Sequence, residues 1–103
     1  MSELTFDLAD KGHRYRALLD GAEVGYAEVD PIAEDGLLIK HTEVSPEFEG
    51  RGIASRLVVH ILEDARRQGR GVIPICPYTA AFVKRNPEYI EYVRESYRAV
   101  LAR

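Results

Sequence analysis

Two glycines flank an arginine at Gly50-Arg51-Gly52, between a short extended run and a helix-like repeat of apolar residues. This order brings unpaired backbone N–H groups and the positive end of a helix dipole together with a guanidinium group. Glycine also lets the backbone approach a ligand closely, because it has no side chain. The segment is therefore typical of a loop that binds a phosphate or diphosphate, although a plain loop entering a helix could have the same sequence.

Positive charge is concentrated after this loop. Residues 1–50 carry a net charge of -8 and residues 51–103 one of +5, within an overall net charge of -3. The overall negative charge, with no interleaving of aromatic and basic residues, argues against nucleic-acid binding. The basic half begins where an anionic ligand would need it, but an ordinary solvated surface could show the same asymmetry.

Three further side chains have types and spacing suited to proton or group transfer. His41 and Glu43 are two apart on an expected strand, so they share a face and either could accept a proton. They could equally form a structural hydrogen-bonded pair. Cys76 precedes Pro77 and an expected helix start, where the dipole favours a thiolate. The alternative for Cys76 is a small, buried, apolar residue.

The elements that position these residues begin with an antiparallel meander. Alternation of apolar and polar residues predicts four strands, over residues 4–8, 15–19, 24–30 and 37–44. Asp20-Gly21 predicts a type I′ hairpin turn between the second and third strands, because both central residues of that turn need a positive φ. The fourth strand then carries His41 and Glu43 at its far end.

A helix follows the glycine loop. Apolar residues recur every four positions from Ile53 to Ala65, and Gly69 supplies a residue that can take the left-handed conformation at the helix end. Val72, Ile73 and Ile75 predict a fifth strand, parallel to the fourth because a helix connects the two.

Two helices are expected after the fifth strand. Pro74 disfavours full pairing of that strand, so one of its sides should be open or irregular. Residues 78–85 predict a short helix, which Asn86-Pro87 breaks, and residues 88–101 predict another. The expected fold is a mixed α/β (α+β) sheet with these helices.

The bulk composition indicates one globular domain over residues 1–103. The N-terminus lacks a signal-peptide pattern and no apolar run could span a bilayer, so we expect a cytoplasmic protein without a membrane partner. One cysteine excludes an internal disulfide, and we expect no metal site. The sequence says little about oligomeric state, for which a monomer or weak dimer is the expectation.

Four motifs carry a family resemblance. Residues 44–54, Val-Ser-Pro-Glu-Phe-Glu-Gly-Arg-Gly-Ile-Ala, resemble motif A of the GNAT superfamily of N-acetyltransferases, whose core is Gln/Arg-x-x-Gly-x-Gly/Ala. With His41-Thr-Glu-Val44, Cys76-Pro-Tyr78 and Phe82-Val-Lys-Arg-Asn-Pro87, residues 4–90 look more closely like a small single-domain GNAT-like family sometimes called YjdJ-type. The resemblance implies the GNAT fold and acetyl-CoA as acetyl donor.

The resemblance also implies which residues bind the cofactor. The backbone of residues 41–44 would run beside the pantetheine, between the fourth and fifth strands. The implied cofactor-binding residues are Val44, Gly50, Arg51, Gly52, Ile53, Ala54 and Ser55. Glu49 stands where most relatives have Gln or Arg. A carboxylate beside a diphosphate is unfavourable, so we expect Glu49 to point outward and the backbone amides to carry more of the binding.

The function implied is transfer of an acetyl group to an unidentified amine, on a small molecule or a protein. Glu43 is the preferred base and His41 the reserve. Cys76 would either take the acetyl group or shape its pocket, and Tyr78 would protonate the departing thiolate, as a tyrosine does in many GNAT enzymes. No pair of helices separates the first two strands, which predicts an open acceptor side, a protein or peptide substrate, or low activity. The alternative is a non-catalytic CoA-binding or protein-interaction module.

Overall fold

The computed structural model of the protein describes residues 3–101. One five-stranded sheet runs through this part of the chain, in the order β1-β2-β3-β4-β5. The strands are β1 (Leu4–Ala9), β2 (Arg14–Leu19), β3 (Ala22–Ile32), β4 (Gly36–Val44) and β5 (Gly71–Pro74). The first four pair antiparallel and β5 pairs parallel to β4, which confirms the predicted mixed sheet.

Three α-helices follow the meander, with three short 3-10 turns between elements. The helices are α1 (Ile53–Arg67), α2 (Pro77–Arg85) and α3 (Glu95–Leu101), and the turns are Asp10–Gly12, Pro46–Phe48 and Pro87–Tyr92. The two-residue loop at Asp20-Gly21 has φ values of 50° and 87°, as the predicted type I′ turn requires. Gly69, with a φ of 72°, follows the end of α1 as expected.

The C-terminal segment differs from the predicted helix over residues 88–101. A 3-10 turn ends at Tyr92, Val93 forms a parallel bridge with Val72, and α3 begins only at Glu95. The Arg94 N–H donates to the Val72 carbonyl at 2.8 Å, and Val93 is only 1% exposed. Pairing with the free edge of β5 and burial of Val93 outweigh the local helical preference.

The helix α1 packs across the sheet and closes the core. Its buried stripe meets apolar residues of β2 to β5, and the fully buried large side chains include Ile39, Leu57, Ile61, Leu62, Val29, Val58 and Val72. A partly buried hydrogen bond links β2 to α1, since the Tyr15 hydroxyl donates to the Asp64 carboxylate. No helix within residues 3–101 is long and apolar enough to cross a membrane.

The pairing of β4 changes near its middle with both of its neighbouring strands. Val29 pairs with Ile39 and Glu28 with His41, so Lys40 is an extra residue that forms a β-bulge. The regular pairing of β4 with β5 ends at Ile39 and Pro74. One further bond follows, from the Cys76 N–H to the Ile39 carbonyl at 3.0 Å, and beyond it the two strands separate. Pro74 is two residues after Val72, which faces the opposite edge of β5, so the N–H that Pro74 lacks would lie on that free edge.

Candidate active site

A cleft of about 500 Å³ lies where β4 leaves β5, against the first turn of α1 and the start of α2. Eight of the residues predicted for the site line this cleft: Glu43, Val44, Gly50, Gly52, Ile53, Ala54, Ser55 and Tyr78. Clefts of this size are typical of small-molecule sites. The structure therefore brings most of the predicted residues together around one cavity.

Unpaired backbone donors lie at the helix end of the cleft. Arg56 is the first residue whose N–H enters the α1 hydrogen-bond ladder, donating to the Gly52 carbonyl at 3.1 Å. Within residues 3–101, the N–H groups of residues 50–55 have no protein acceptor, and Gly52 provides no side-chain cap. These donors and the helix dipole favour an anion at this end of the cleft.

Gly50 and Gly52 give this loop its shape. Their φ values are 81° and 77°, in the left-handed region that disfavours other residues. A Cβ at either position would meet no protein atom within 4 Å, so it would extend into open space. Because both residues line the cleft, that space is available for close approach of a ligand to the backbone.

The charged residues of this loop are exposed. Arg51 does not line the cleft, and its guanidinium carbon lies 5.2 Å from the centre of the Phe48 ring. Glu49, expected to point outward, is exposed but contributes to the lining of the cleft and of a second cavity beside it. The backbone donors are therefore the part of this loop that faces the cleft without a competing partner.

Tyr78 connects the two helices at the cleft wall. Its hydroxyl group lies 2.9 Å from the Ser55 Oγ, which extends from the first turn of α1. Tyr78 is in the first turn of α2, directly after Pro77, and is partly buried. The phenol is thus held at the cleft by a hydroxyl that can either donate to it or accept from it.

Cys76 lies where β4 and β5 separate. Its N–H donates to the Ile39 carbonyl at 3.0 Å, and its side chain is only 2% exposed. The thiol donates to the Thr42 hydroxyl across the gap, with an Sγ–Oγ distance of 3.5 Å. Burial raises the pKa of the Cys76 thiol, but hydrogen bonds from the Thr79 backbone, the Thr42 hydroxyl and the start of α2 outweigh burial and lower the pKa overall.

His41 and Glu43 lie on the opposite side of β4 from Thr42, as the strand alternation requires. Their side chains approach to 3.7 Å, and both are about half exposed. The Tyr26 hydroxyl donates to the Glu43 carboxylate at 3.1 Å. Glu43 also lines the second cavity, of about 350 Å³, with Glu23 and Tyr26, whereas His41 lines neither.

Three cleft residues were not predicted for the site: Thr42, Phe48 and Glu49. Thr42 faces away from His41 and Glu43, as strand alternation requires, and its hydroxyl contacts the Cys76 thiol. A strand residue flanked by two exposed side chains was the available signal for this contact. Phe48 belongs to the 3-10 turn before the glycines, where the sequence offers no periodic pattern.

A family model described as GCN5-related N-acetyl-transferase matches residues 14–93. The chain belongs to this family. Membership confirms the predicted GNAT domain, whereas the narrower YjdJ-type assignment stays a prediction. No curated protein sequence matches the chain.

Solved acetyltransferase structures share the GNAT fold with this chain. The chain is similar to Ard1 from Thermoplasma volcanium, with a TM-score of 0.55 and 20% identity, over 62% of this chain and 44% of that one. It is also similar to the ribosomal-protein-S18-alanine N-acetyltransferase from Escherichia coli, with a TM-score of 0.54 and 13% identity, over 59% and 39% of the two chains.

A third similar structure was determined with a ligand. It is N-acetylglutamate synthase from Neisseria gonorrhoeae complexed with coenzyme A and N-acetyl-glutamate, with a TM-score of 0.54 and 23% identity. The match covers 69% of this chain and 19% of the synthase. This GNAT domain thus spans less than half the length of each of these three structures. At such identities the likeness establishes the fold.

Proposed function

We propose that the protein transfers an acetyl group from acetyl-CoA to an amine. The observation that carries this proposal is the row of unpaired N–H groups over residues 50–55, facing a cleft that opens where β4 and β5 separate. In a member of the GCN5-related family, that combination is suited to a diphosphate and an attached thioester.

The residues present fit acetyl-CoA. The diphosphate would be bound by the backbone of residues 50–55, with Arg51 adding positive charge at the rim, and Val44 would border the pantetheine. Open space at the missing Cβ atoms of Gly50 and Gly52 supports this placement. When bound, acetyl-CoA supplies an activated acetyl thioester. The family and the CoA-bound neighbour support a CoA thioester in general, and the acetyl group is the specific proposal.

Glu43 is the proposed base. An amine attacks a carbonyl only in its neutral form, so its ammonium must first lose a proton. Glu43 lines both cavities, and this supports a role as base for an acceptor that enters from the exposed sheet face. His41 is the reserve base, and its ring nitrogen lies 3.7 Å from Glu43, within reach through small side-chain movement or one water.

Tyr78 and Cys76 are the groups proposed to act on the thioester sulfur and the acetyl group of acetyl-CoA. As the new C–N bond forms and the C–S bond breaks, Tyr78 would give its proton to the departing thiolate and recover one from Ser55 or water. In the variant that uses Cys76, its thiolate would first accept the acetyl group and the amine would then attack that enzyme thioester. The alternative role of Cys76 is to shape the pocket near the acetyl group.

The acceptor and the setting are broader proposals. Residues 10–13 join β1 to β2 by a short turn, so no helices cover the exposed face beside Glu43 from that connection. This openness supports a protein or peptide amine as readily as a small one. We further propose a cytoplasmic protein that acts as a monomer or weak dimer.

A second candidate function is CoA binding without efficient transfer. Glu49 favours it, because the exposed carboxylate lines the cleft beside the proposed diphosphate position. Repulsion between the Glu49 carboxylate and the diphosphate weakens binding and could leave the site too weakly occupied for catalysis. This candidate predicts acetyl-CoA binding with no acetylated product.

A panel of amines and peptides tested for CoA release distinguishes the two. Transfer predicts release of free CoA with an equal amount of acetylated acceptor, identified by mass spectrometry. Binding alone predicts neither product. Incubation with acetyl-CoA and no amine tests the Cys76 variant, since an added acetyl mass on wild-type protein, absent in Cys76→Ala, supports it. Unchanged intact mass together with unchanged turnover in Cys76→Ala would leave Cys76 with a structural role.

A further inference from the structure

One buried hydroxyl in the first turn of α2 has no hydrogen-bond partner within residues 3–101. The Thr79 side chain is 0% exposed, and within residues 3–101 no group lies in hydrogen-bonding geometry with its Oγ. A buried polar atom of this kind is costly and uncommon in a native protein. Thr79 therefore calls for a function that a valine of the same shape would not serve.

The Cys76 sulfur is the candidate partner. Cys76 is the N-cap residue of α2 and makes no side-chain capping bond, and Thr79 is three positions further on, in the first turn, where a side chain can approach that of the N-cap residue. Hydrogen bonding from the backbone and the side chain of Thr79 contributes to lowering the pKa of the Cys76 thiol. The Thr42 hydroxyl approaches the same sulfur from β4 at 3.5 Å.

We infer that Thr79 and Thr42 are positioning residues that hold the Cys76 sulfur as a thiolate between two hydroxyl groups and the first turn of α2. The sulfur of a neutral thiol is only a weak acceptor for the Thr79 hydroxyl, whereas a thiolate is a strong one. Deprotonation of Cys76 thus completes the hydrogen bonding of a group that is otherwise buried without a partner. The positioned thiolate stays nearly enclosed, which limits its contact with solvent.

Charged side chains contribute little to this arrangement. Tyr78 is the nearest titratable residue on α2, and its hydroxyl is bonded to Ser55. On β4, the carboxylate of Glu43 lies on the other side of the strand with Tyr26. The largest effects on the thiol are burial and hydrogen bonds, so the two threonine hydroxyls are the groups to test.

Thiolate absorbance at 240 nm gives a direct test, because Cys76 is the one cysteine of the chain. Wild type, Thr79→Val and Thr79→Ser are titrated from pH 5 to 9.5 without acetyl-CoA, and Cys76→Ser supplies the tyrosine background. In Thr79→Val we expect the thiolate-to-thiol ratio near the midpoint to fall about tenfold, since a hydrogen bond to an anion contributes about this much. Thr79→Ser should restore most of the ratio, and Thr42→Val should lower it in the same direction.

A stability measurement separates positioning from simple packing. Thr79→Val should fold as stably as wild type at pH 6, where the neutral thiol is only a weak acceptor, and lose stability relative to wild type by pH 9. The sign follows because a thiol whose folded-state pKa is lowered adds stability as pH rises toward its unfolded pKa. Thr5→Val, at an exposed position of β1, is the matched control and should show no such pH dependence.

An unchanged 240 nm midpoint in Thr79→Val would overturn the inference, as would an equal loss of stability at pH 6 and pH 9. The thiolate assignment does not depend on the proposed function. Only its purpose does, since a reactive sulfur is useful here if an acetyl thioester binds beside it. Because the titration needs no acetyl-CoA, a failure of the thiolate assignment and a failure of acetyl transfer are observed in separate experiments.

Discussion

Substitutions at Gly52 and at Gly69 distinguish the effect of α1 on folding from its proposed role in binding acetyl-CoA. The two glycines flank the same helix at opposite ends, with φ values of 77° and 72°. A Cβ at either one meets no protein atom within 4 Å. Each change to alanine should therefore cost about 1–2 kcal/mol of folding free energy, from left-handed strain alone. For a domain of this size, each kcal/mol lowers Tm by roughly 4–8 °C.

Binding of acetyl-CoA should distinguish the two positions. Gly52 lines the cleft and Gly69 does not. In Gly52→Asp, a carboxylate about 4 Å from a diphosphate charge would cost about 4 kcal/mol at an effective dielectric constant near 20. That cost corresponds to a Kd weakened roughly a thousandfold. Gly69→Asp should keep the wild-type Kd, although its carboxylate lies at the unfavourable end of the helix dipole.

Titration calorimetry with acetyl-CoA provides the assay, with circular dichroism to verify that both variants are folded at the working temperature. Equal affinity of Gly52→Asp and Gly69→Asp for acetyl-CoA would refute the placement of the diphosphate at residues 50–55. Absence of heat with folded wild-type protein would refute the cofactor itself.

Three further changes test other parts of the account. Tyr15→Phe removes the buried bond to Asp64 and should lower the free energy of unfolding by about 1–2 kcal/mol in urea titrations at pH 7. Burial and the Asp64 bond raise the pKa of Tyr15, so the stability of the wild type should fall as pH rises above about 10. The fall should be smaller in Tyr15→Phe. Equal slopes of stability against pH in the two proteins would contradict this. Gly71→Ala places a Cβ 3.0 Å from the Arg94 Cα and should lower the free energy of unfolding by about 1–3 kcal/mol, because it disturbs the Val72–Val93 bridge. An unchanged Tm would mean that the segment around Arg94 moves away without cost. Glu43→Gln should reduce kcat about a hundredfold and leave the Kd for acetyl-CoA within twofold. His41→Gln should reduce kcat less. A larger loss of kcat in His41→Gln would make His41 the base instead of Glu43.

Most of the fold followed from local pattern in the sequence. Alternation gave the meander, the four-residue repeat from Ile53 gave α1, and Asp20-Gly21 fixed a turn by its need for positive φ. The break at Val93 could not be predicted in this way. The residues around Val93 have helical propensity. Val93 pairs instead with the free edge of β5, which is distant in sequence, and this pairing outweighs the local propensity.

The candidate site was predictable to the extent that one continuous segment forms it. Residues 50–55 follow each other in the chain and all except Arg51 line the cleft, so this part of the site could be expected from the loop and helix alone. The contact between Thr42 and Cys76 depends on the β-bulge at Lys40 and on where pairing with β5 ends. Both are properties of the assembled sheet. Burial of the Thr79 hydroxyl beside Cys76 likewise requires the packed structure.

Titration of ¹⁵N-labelled protein with acetyl-CoA tests the central claim most directly, because the proposed contacts are backbone N–H groups. The account predicts that the amide signals of residues 50–55 shift most and move downfield as they gain an acceptor, while the amides of residues 68–71 at the far end of α1 stay in place. Shifts centred elsewhere, or saturation without movement of the Gly50 and Gly52 signals, would contradict it.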